Sequence, residues 1–369
     1  MEVQYAIGLM SGTSLDGVDA ALVNFSQDIQ LIHKNYVEFP VSLQKRIQAL
    51  ISGSNCFLKD VVKIEGEITD FYVLACKNLL KLSGLTSKQI RVIGCHGQTV
   101  WHAPASPIQN CFQLGNPHRL AHKMRIPVVY DFRRADIAAG GQGAPLVPLF
   151  HQALLQHQNE NRAVLNLGGF CNISVFTPKS DCIGFDIGPC NSLLNLWIEH
   201  HRGEKLDFDG KWSASGTVIN SWVEHALADP FFAKSPPKST GREYFDLQWI
   251  QKISRLASTE NAPAADIQAS ISDAIAHSIA NAINTWTKNV SRCFLCGGGR
   301  KNLDLASRIQ KYLPNMIVET IEHSGFDGDY IEAIAFAWLG WQRVHSKKID
   351  YRKITGSQYP TYYGVLVEF

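Results

Sequence analysis

The chain has 369 residues, 45% of them hydrophobic, and carries 35 basic against 33 acidic side chains for a formal net charge of +2. This balance excludes the polyelectrolyte classes, a basic chain built for nucleic acid or an acidic disordered tail. At about 150 residues per domain, the length predicts two domains, or three.

Strand-like and helix-like segments alternate along the chain, which predicts an α/β fold. Two strand pairs surround glycine turns and are predicted to be hairpins, 5–10 with 18–25 and the two halves of 163–176. Short strands are also predicted at 92–95, 128–130 and 294–296. Helices are predicted at 60–83, 266–283, 302–312 and 329–343. The last of these helices is apolar nearly all round, so it should be buried.

Nothing in the sequence predicts export or membrane insertion. The N-terminus lacks a basic segment, and no stretch approaches the roughly 20 apolar residues of a membrane span. The nine cysteines are scattered. The C-x-x-C from Cys293 to Cys296 lies in a strand, where residues three apart point to opposite faces. We therefore expect a cytoplasmic protein with no membrane or nucleic-acid partner.

A strand, two arginines, glycines and prolines crowd together at 125–150, and this stretch is the predicted domain boundary. The predicted first lobe is 1–130, which a C-terminal strand within 345–369 can rejoin, and the predicted second lobe is 131–344. The glycine-rich stretch 139–145 is either a hinge or a ligand loop.

The turn between the first two strands packs hydroxyl residues and glycines together. Amides exposed at such a turn form a concavity for anions, and Thr13 and Ser14 can donate to phosphate oxygens. Asp16 and Asp19 can hold a hydrated Mg²⁺ that bridges phosphates. The alternative is an ordinary hairpin turn rich in turn-forming residues. No Walker A motif is present.

Two further glycine turns follow strands. One is Gly168 with Gly169 in the second hairpin, and the other is Gly297, Gly298 and Gly299 before a helix. A glycine turn beside a helix N-terminus suits a phosphate or a flat nucleoside. Together the three turns predict one nucleotide held in a cleft between two lobes.

Asp186 is the most prominent acidic candidate. It lies beside a Gly-Pro pair, after a short strand and before a helix that begins near Ser192. A carboxylate held rigidly at a strand end suits general-base catalysis. The alternative is a turn or helix-capping aspartate.

Polar and basic candidates follow the strands at 92–95 and 128–130. His96, Gln98 and Thr99 supply neutral donors and acceptors, which suit a sugar, and the Arg133–Arg134 pair suits anionic groups. A lone histidine is more often a core residue than a ligand. No Ser-His-Asp order, H-E-x-x-H or G-x-S-x-G motif is present.

In combination these segments resemble the anhydro-N-acetylmuramic acid kinases of peptidoglycan recycling, within the actin, hexokinase and heat-shock ATPase superfamily. The matching stretches span nearly the whole chain: GLMSGTSLDGVD (8–19), GCHGQTVWH (94–102), DFRRADIAAGGQGAPL (131–146), NLGG (166–169), GFDIGPCN (184–191), PKSTGRE (237–243), CGGG (296–299) and EAIAFAWL (332–339). The resemblance implies a two-lobed actin-like (ribonuclease H-like) ATPase fold with a nucleotide cleft.

The resemblance also implies roles for individual residues. The ATP-binding segment corresponds to Gly12, Thr13, Ser14, Leu15, Asp16, Gly17, Val18 and Asp19. Asp186 corresponds to the catalytic base. The sugar-side segments contain His96, Gln98, Thr99, Arg133, Arg134 and Asp136, and Glu332 fits the acidic position at the start of the last long helix. A homodimer is implied as well.

The chain departs from the family pattern in two places. Cys190 stands where the family usually has the second glycine of Gly-Pro-Gly-Asn, and it would be strained if that position required a positive φ. The superfamily also places an acid just before the first phosphate turn, where this chain has Met10 or Ser11. Asp16 and Asp19 are the nearest substitutes as Mg²⁺ ligands.

The implied reaction converts 1,6-anhydro-N-acetylmuramic acid, water and ATP to N-acetylmuramic acid 6-phosphate. Asp186 would activate the water that opens the anhydro ring, and the freed 6-oxygen would attack the γ-phosphate. Two alternatives remain at this point. One is a kinase in which Asp186 deprotonates a sugar hydroxyl, and the other is a nucleotide-switched binding protein.

Overall fold

A computed structural model describes residues 4–369 except 13, 54–56, 104–106, 180–181 and 242–243. The chain forms two compact units, one of residues 1–150 with 329–369 and the other of residues 151–328. This division differs from the predicted one, since 131–150 and 329–344 belong to the first unit. The physical reason is that the helix beginning at Ile331 packs directly on the first sheet.

Two sheets contain the strands of the described residues. The strands in chain order are β1 (Tyr5–Ser11), β2 (Gly17–Asn24), β3 (Gln30–Glu38), β4 (Ile90–Ala103), β5 (Asn110–Leu114), β6 (Val128–Tyr130), β7 (Asn161–Leu167), β8 (Phe170–Phe176), β9 (Cys182–Pro189), β10 (Val290–Cys296), β11 (Ile317–Thr320) and β12 (Val365–Val367).

The helices of the described residues are α1 (Val41–Ile51), α2 (Leu58–Ser83), α3 (Pro117–Met124), α4 (Phe132–Ala138), α5 (Pro148–Leu155), α6 (Asn191–Arg202), α7 (Lys211–Ser215), α8 (Asn220–Leu227), α9 (Pro230–Ala233), α10 (Leu247–Leu256), α11 (Ala264–Trp286), α12 (Leu303–Tyr312) and α13 (Ile331–Val344). Short 3₁₀ turns occur at Ser87–Gln89, Phe208–Gly210, Gly298–Lys301 and Ile321–Ser324.

The first unit is built on the sheet β12-β6-β4-β1-β2-β3, with β5 also pairing with β4. The predicted hairpin is confirmed, because β1 and β2 pair antiparallel, while β1 and β4 run parallel. The C-terminal strand β12 pairs antiparallel with β6. Helix α2 and the other helices on one face bury an apolar core against this sheet.

Helix α13 packs on β1 and β4 at unusually short range. A Cβ on Gly8 would lie 1.8 Å from the Ala333 carbonyl oxygen, and a Cβ on Gly94 would lie 1.8 Å from the Phe336 carbonyl oxygen. Glycine is therefore required at both positions, since any side chain would meet helix backbone. The predicted burial of this apolar helix is confirmed.

The second unit is built on the sheet β11-β10-β7-β8-β9. Its predicted hairpin is also confirmed, with β7 and β8 antiparallel, while β10 runs parallel to both β7 and β11. The core lies on one face and is formed with helices that include α6 and α11. The predicted helix at 266–283 lies within α11, whose isoleucines at every fourth position are buried.

One predicted strand is much longer than expected. The short strand 92–95 is the first part of β4, which continues to Ala103 and pairs with β5 beyond Gln98. Gly97 lies in β4 with φ of +82°, in the left-handed region that favours glycine. The polar residues after Cys95 therefore lie within a strand rather than beyond its end.

Candidate active site

The first glycine turn joins β1 to β2. A Cβ on Gly12 would approach only the Ser14 hydroxyl, at 3.7 Å. The Gly12 carbonyl accepts hydrogen bonds from the Leu15 amide at 3.3 Å and from Gln98 Nε2 at 3.1 Å. The Ser14 hydroxyl donates to Asp16 Oδ1 at 2.5 Å. The space beside Gly12 is therefore open, as a phosphate-binding turn requires.

Other residues of this turn are held by the protein itself. Leu15 has a φ of 61°, and its side chain is buried in the core of the first unit together with that of Val18. A Cβ on Gly17 would lie 2.4 Å from the Val37 carbonyl oxygen, so close packing of β2 on β3 requires this glycine. The predicted nucleotide contacts of Leu15 and Val18 are thus limited to their backbone. Thr13 lies outside the described residues.

The predicted Mg²⁺ ligands Asp16 and Asp19 lie in and directly after this turn. In the described part of the chain, no three His, Cys, Asp or Glu side chains form a group that could hold a metal. The pKa of Tyr36 is raised to about 12, first by burial and then by the carboxylates of Asp16, Glu38 and Asp19, so the local field is negative. Two carboxylates in such a field fit Mg²⁺, which takes one or two carboxylates plus phosphate oxygens.

Arg133 and His96 are in direct contact in the first unit, although 37 residues separate them in sequence. Arg133 Nε donates to His96 Nε2 at 2.8 Å, and its Nη1 donates to the Gly143 carbonyl at 2.8 Å. Burial lowers the pKa of His96 well below its usual range, and the Arg133 charge lowers it further. His96 is therefore a neutral acceptor that orients the guanidinium of Arg133.

Gln98 and Thr99 follow His96 in β4. Gln98 is fully buried, and its Nε2 joins the Gly12 carbonyl to this strand. Its Oε1 is buried and has no hydrogen-bond partner among the described residues. The Thr99 hydroxyl accepts from Gln113 Nε2 at 3.2 Å. An orphaned acceptor at this place fits a ligand that brings its own hydroxyl or amide donor.

Arg134 points to a different environment from its neighbour. It forms an ion pair with Asp131 at 2.7 Å, and its guanidinium lies 6.0 Å from the ring centroid of Phe112. Both the arginine and this ring are partly exposed. The predicted sugar contact of Arg134 stays a prediction.

Asp136 is the clearest correction among the predicted sugar ligands. Its side chain is fully buried and accepts hydrogen bonds from the Gly143 amide at 2.7 Å, the Thr355 hydroxyl at 2.7 Å and the Tyr363 hydroxyl at 2.6 Å. These three donors satisfy the carboxyl inside the protein, so no surface remains for a sugar. Asp136 instead connects the 139–145 loop to the C-terminal segment.

Glu332 is the second residue of α13. Burial raises the pKa of its carboxyl, while the charge of Arg133 lowers it. Arg133 is therefore near enough to Glu332 for their charges to interact. The predicted sugar contact of Glu332 stays a prediction.

Asp186 lies within β9, which extends to Pro189, rather than at the end of a short strand. The register of β9 on β8 shifts directly beside it, and such bulges redirect side chains. Phe185 and Ile187 on either side enter the core, so the alternation of a strand turns Asp186 to the opposite face. Its Oδ2 accepts a hydrogen bond from the Thr240 amide at 3.2 Å.

Two asparagines that sequence reasoning did not single out share a row with Asp186. Asn172 is opposite Asp186 in the β8–β9 pairing, and Asn166 is opposite Asn172 in the β7–β8 pairing. Directly paired residues of antiparallel strands lie on the same face. The row therefore presents a carboxyl and two amides on the side away from the core. A polar residue in the middle of each apolar strand was the available signal.

The glycine turns of the second unit differ in what they do. The carbonyls of Gly168 and Gly169 accept hydrogen bonds from the amides of Cys190, Asn191 and Ser192, at 3.0 to 3.2 Å, and so cap the start of α6. The buried Ser192 hydroxyl next to Gly169 has no hydrogen-bond partner among the described residues. The predicted nucleotide contacts at Gly168 and Gly169 stay predictions.

The third glycine turn has one open position. A Cβ on Gly298 would meet nothing within 4 Å. A Cβ on Gly297 would lie 2.3 Å from Asn166 Oδ1, and one on Gly299 would lie 2.8 Å from the Leu167 carbonyl oxygen. Gly297 and Gly299 are thus required by packing on β7, while Gly298 leaves space that a nucleotide can fill.

Cys190 is not strained in the way that the family pattern suggested. Its φ is −139°, outside the left-handed region that only glycine adopts readily. Its side chain is fully buried in the core of the second unit. A cysteine therefore replaces the usual glycine without a positive φ.

The chain is similar in sequence to one family of known proteins over nearly its whole length. A sequence model of the anhydro-N-acetylmuramic acid kinase family matches residues 4–368. The chain is 41% identical over 367 residues to the anhydro-N-acetylmuramic acid kinase of Haemophilus influenzae, covering 97% of this chain and 96% of that one. It is 42% identical over 356 residues to the enzyme of the same name from Pasteurella multocida, covering 96% and 94%.

Among solved structures, component A of the (R)-2-hydroxyglutaryl-CoA dehydratase of Acidaminococcus fermentans shares the fold, with a TM-score of 0.50 at 11% identity over 93% of this chain and 99% of that one. The actin-like ATPase fold class that the sequence predicted is confirmed. No helix in the described ranges is long and apolar enough to cross a membrane. With its family model matched over nearly the whole length, the chain belongs to the anhydro-N-acetylmuramic acid kinase family.

Proposed function

We propose that this phosphotransferase uses ATP and water to convert 1,6-anhydro-N-acetylmuramic acid to N-acetylmuramic acid 6-phosphate, in the recycling of peptidoglycan and the catabolism of amino sugars. Family membership and the names of the relatives support the substrate and the use of ATP. The observation in the structure that carries the proposal is Asp186, which the alternation of β9 turns away from the core that Phe185 and Ile187 enter.

The chemistry joins two steps. Asp186 removes a proton from water as the water oxygen bonds to the anomeric carbon and the anhydro C–O bond breaks. The 6-oxygen keeps the electron pair of that bond and attacks the γ-phosphorus, and ADP leaves with the bridging oxygen. Asn166 and Asn172, in the same row as Asp186, supply neutral amides that can orient the water or the sugar.

The residues of the first unit supply the binding side of the proposal. Arg133, held by His96 and Gly143, presents a fixed guanidinium of the kind that pairs with a carboxylate or phosphate. Glu332 and the orphaned Oε1 of Gln98 offer acceptors for sugar hydroxyls. The open backbone at Gly12 leaves space for a phosphate, and Gly298 in the second unit has open space of its own. A Mg²⁺ ion at Asp16 and Asp19 would neutralise phosphate charge.

The experiment is a turnover assay with 1,6-anhydro-N-acetylmuramic acid, ATP and Mg²⁺ in ¹⁸O-labelled water, followed by mass analysis of the product. We expect a sugar phosphate that carries one labelled oxygen at the anomeric carbon, which also distinguishes this reaction from phosphorylation of an existing hydroxyl. ATP turnover that does not depend on the sugar would contradict the proposal. The homodimer that the family resemblance implies and the cytoplasmic location expected from the sequence belong to the same proposal.

The role of Asp186 is tested with Asp186→Asn. Loss of a general base reduces turnover by about 10²-fold or more. Asp246→Asn is the matched control, because Asp246 also accepts a backbone amide bond, from Trp249, but caps α10 instead. If Asp186→Asn retained near-normal turnover, as we expect of the control, Asp186 would have no part in the chemistry.

A further inference from the structure

The buried carboxyl of Asp136 connects two segments that are distant in sequence. Its Oδ1 accepts hydrogen bonds from the hydroxyls of Thr355 and Tyr363, which lie 219 and 227 residues later in the chain. Its Oδ2 accepts from the Gly143 amide at 2.7 Å. Asp136, Thr355 and Tyr363 are each almost completely buried.

Gly143 connects this carboxyl to the predicted sugar-binding arginine. The Gly143 amide donates to Asp136, and the Gly143 carbonyl accepts from Arg133 Nη1 at 2.8 Å. Arg133 then uses its Nε to contact His96 Nε2. Four hydrogen bonds in series therefore lead from the C-terminal hydroxyls to the imidazole of His96.

The 139–145 loop has little freedom to take another position. A Cβ on Gly141 would lie 2.2 Å from Asp136 Oδ2, and Gly143 has a φ of +74° that favours glycine. The Gln142 amide donates to the Thr355 carbonyl at 3.0 Å, and the Gln358 amide donates to the Ala139 carbonyl at 2.7 Å. The C-terminal segment thus fixes the loop by backbone and side-chain bonds alike.

We infer that Asp136 is a positioning residue, through which the hydroxyls of Thr355 and Tyr363 set the position of Arg133 for the sugar. The identity of the sugar rests on the proposed function, but the positioning of Arg133 against His96 does not. A buried carboxyl that loses its donors must find others, because an unpaired buried charge is costly. It would then move from Gly143, and the carbonyl that holds Arg133 would move with it.

The test compares three variants with one control. Tyr363→Phe removes one hydroxyl and keeps the ring packed on Tyr351. Thr355→Val with Tyr363→Phe removes both donors to Oδ1, and Asp136→Asn alters the carboxyl itself. Tyr351→Phe is the matched control, because the Tyr351 hydroxyl on the same segment donates to the Leu146 carbonyl instead of Asp136.

Two readouts are measured for each variant. The ¹⁵N signal of His96 Nε2 in the substrate-free protein reports whether Arg133 still donates to it, and it requires no activity. We expect this signal to move in the three variants and to stay in Tyr351→Phe. We also expect the KM for the sugar to rise by about three- to tenfold, the effect of one or two hydrogen bonds, with the KM for ATP unchanged.

A purely structural role would give a different pattern. All four variants would then melt at lower temperature, while the His96 signal and the sugar KM would match the wild type, and this result would overturn the inference. Displacement of the His96 signal with an unchanged sugar KM would support the positioning of Arg133 and contradict its proposed role in sugar binding. A wild-type protein that does not act on the anhydro-sugar would refute the proposed function, and the His96 signal would still decide the inference.

Discussion

A substitution at Gly298 should change ATP binding without lowering the stability of the fold. It is flanked by two glycines that packing requires, yet a Cβ on Gly298 itself would meet nothing within 4 Å. Its φ also lies outside the left-handed region. An alanine there restricts the unfolded chain without straining the folded one. We therefore expect Gly298→Ala to raise the free energy of unfolding by about 0.4–1 kcal/mol.

The same substitution should weaken nucleotide binding. If ATP lies against the backbone of Gly298, an added side chain occupies space that the ligand needs. Overfilling a packed contact costs about 1–3 kcal/mol, which is roughly a 5- to 150-fold increase in Kd. Gly298→Ala belongs at the low end of this range and Gly298→Leu at the high end.

Calorimetric titration with ATP and thermal unfolding of the same preparations measure both effects. Gly66→Ala within α2 is the control for the stabilising effect of removing a glycine, since a Cβ there would come no closer than 3.9 Å to a neighbouring atom. Gly297→Ala should instead lose stability, because its Cβ would collide with Asn166. If Gly298→Leu folded normally and bound ATP as the wild type does, this turn would not be part of the nucleotide site.

Three further predictions concern stability. Gly94→Ala should destabilise by about 1–3 kcal/mol or more in denaturant unfolding, because the new Cβ meets helix backbone that cannot rotate away. Burial lowers the pKa of His151 from 6.5 to about 3. Below pH 6.5 the imidazole therefore binds a proton in the unfolded state but not in the folded state. Stability should therefore fall by about 2 kcal/mol between pH 7 and 5, and a His151→Asn variant with the same pH slope would refute this. Burial raises the pKa of Glu332 above its usual 4.5, so ionisation of this carboxyl opposes folding above that pH. Glu332→Gln should therefore unfold at a higher denaturant concentration than the wild type at pH 7, but not at pH 4. Denaturation midpoints equal to those of the wild type at both pH values would contradict this.

The elements that sequence could predict were those with local signals. The hairpin β7–β8 has strand-forming residues on both sides of a glycine pair, and α11 has an isoleucine at every fourth position. Strand β4 was underestimated because a glycine and three polar residues follow Cys95, at 96–99, and because pairing with β5 stabilises its second half. That pairing joins residues 7 to 16 positions apart, from Ala103 with Asn110 to Gln98 with Leu114, and the pattern within one strand does not contain it.

The candidate site residues also divide into those that local sequence signals predict and those that they do not. Arg133 and His96 could be grouped because both lie near the ends of predicted strands, and the structure joins them by one hydrogen bond. Asp136 looked like an equally good sugar-binding candidate, since it follows Arg133 by three positions on the same short helix. Its true partners are hydroxyls more than two hundred residues away, and no spacing rule connects them. The sequence identified this carboxyl as a candidate, but only tertiary contacts assign its role.

The packing of α13 on the first sheet affects the position of several candidate site residues of this unit. Strands β1 and β4 are parallel neighbours, and the carboxyl end of β1 lies beside the middle of β4, with Ser11 opposite Gln98. Gln98 then bonds the Gly12 carbonyl, which ties the predicted phosphate turn to the strand that bears His96. Because Gly8 and Gly94 let α13 lie directly on these two strands, the position of the helix, and with it that of Glu332, is set by backbone contact. The predicted nucleotide turn and the predicted sugar-side residues of this unit therefore share one rigid support, and a change in the glycines beneath α13 should disturb both.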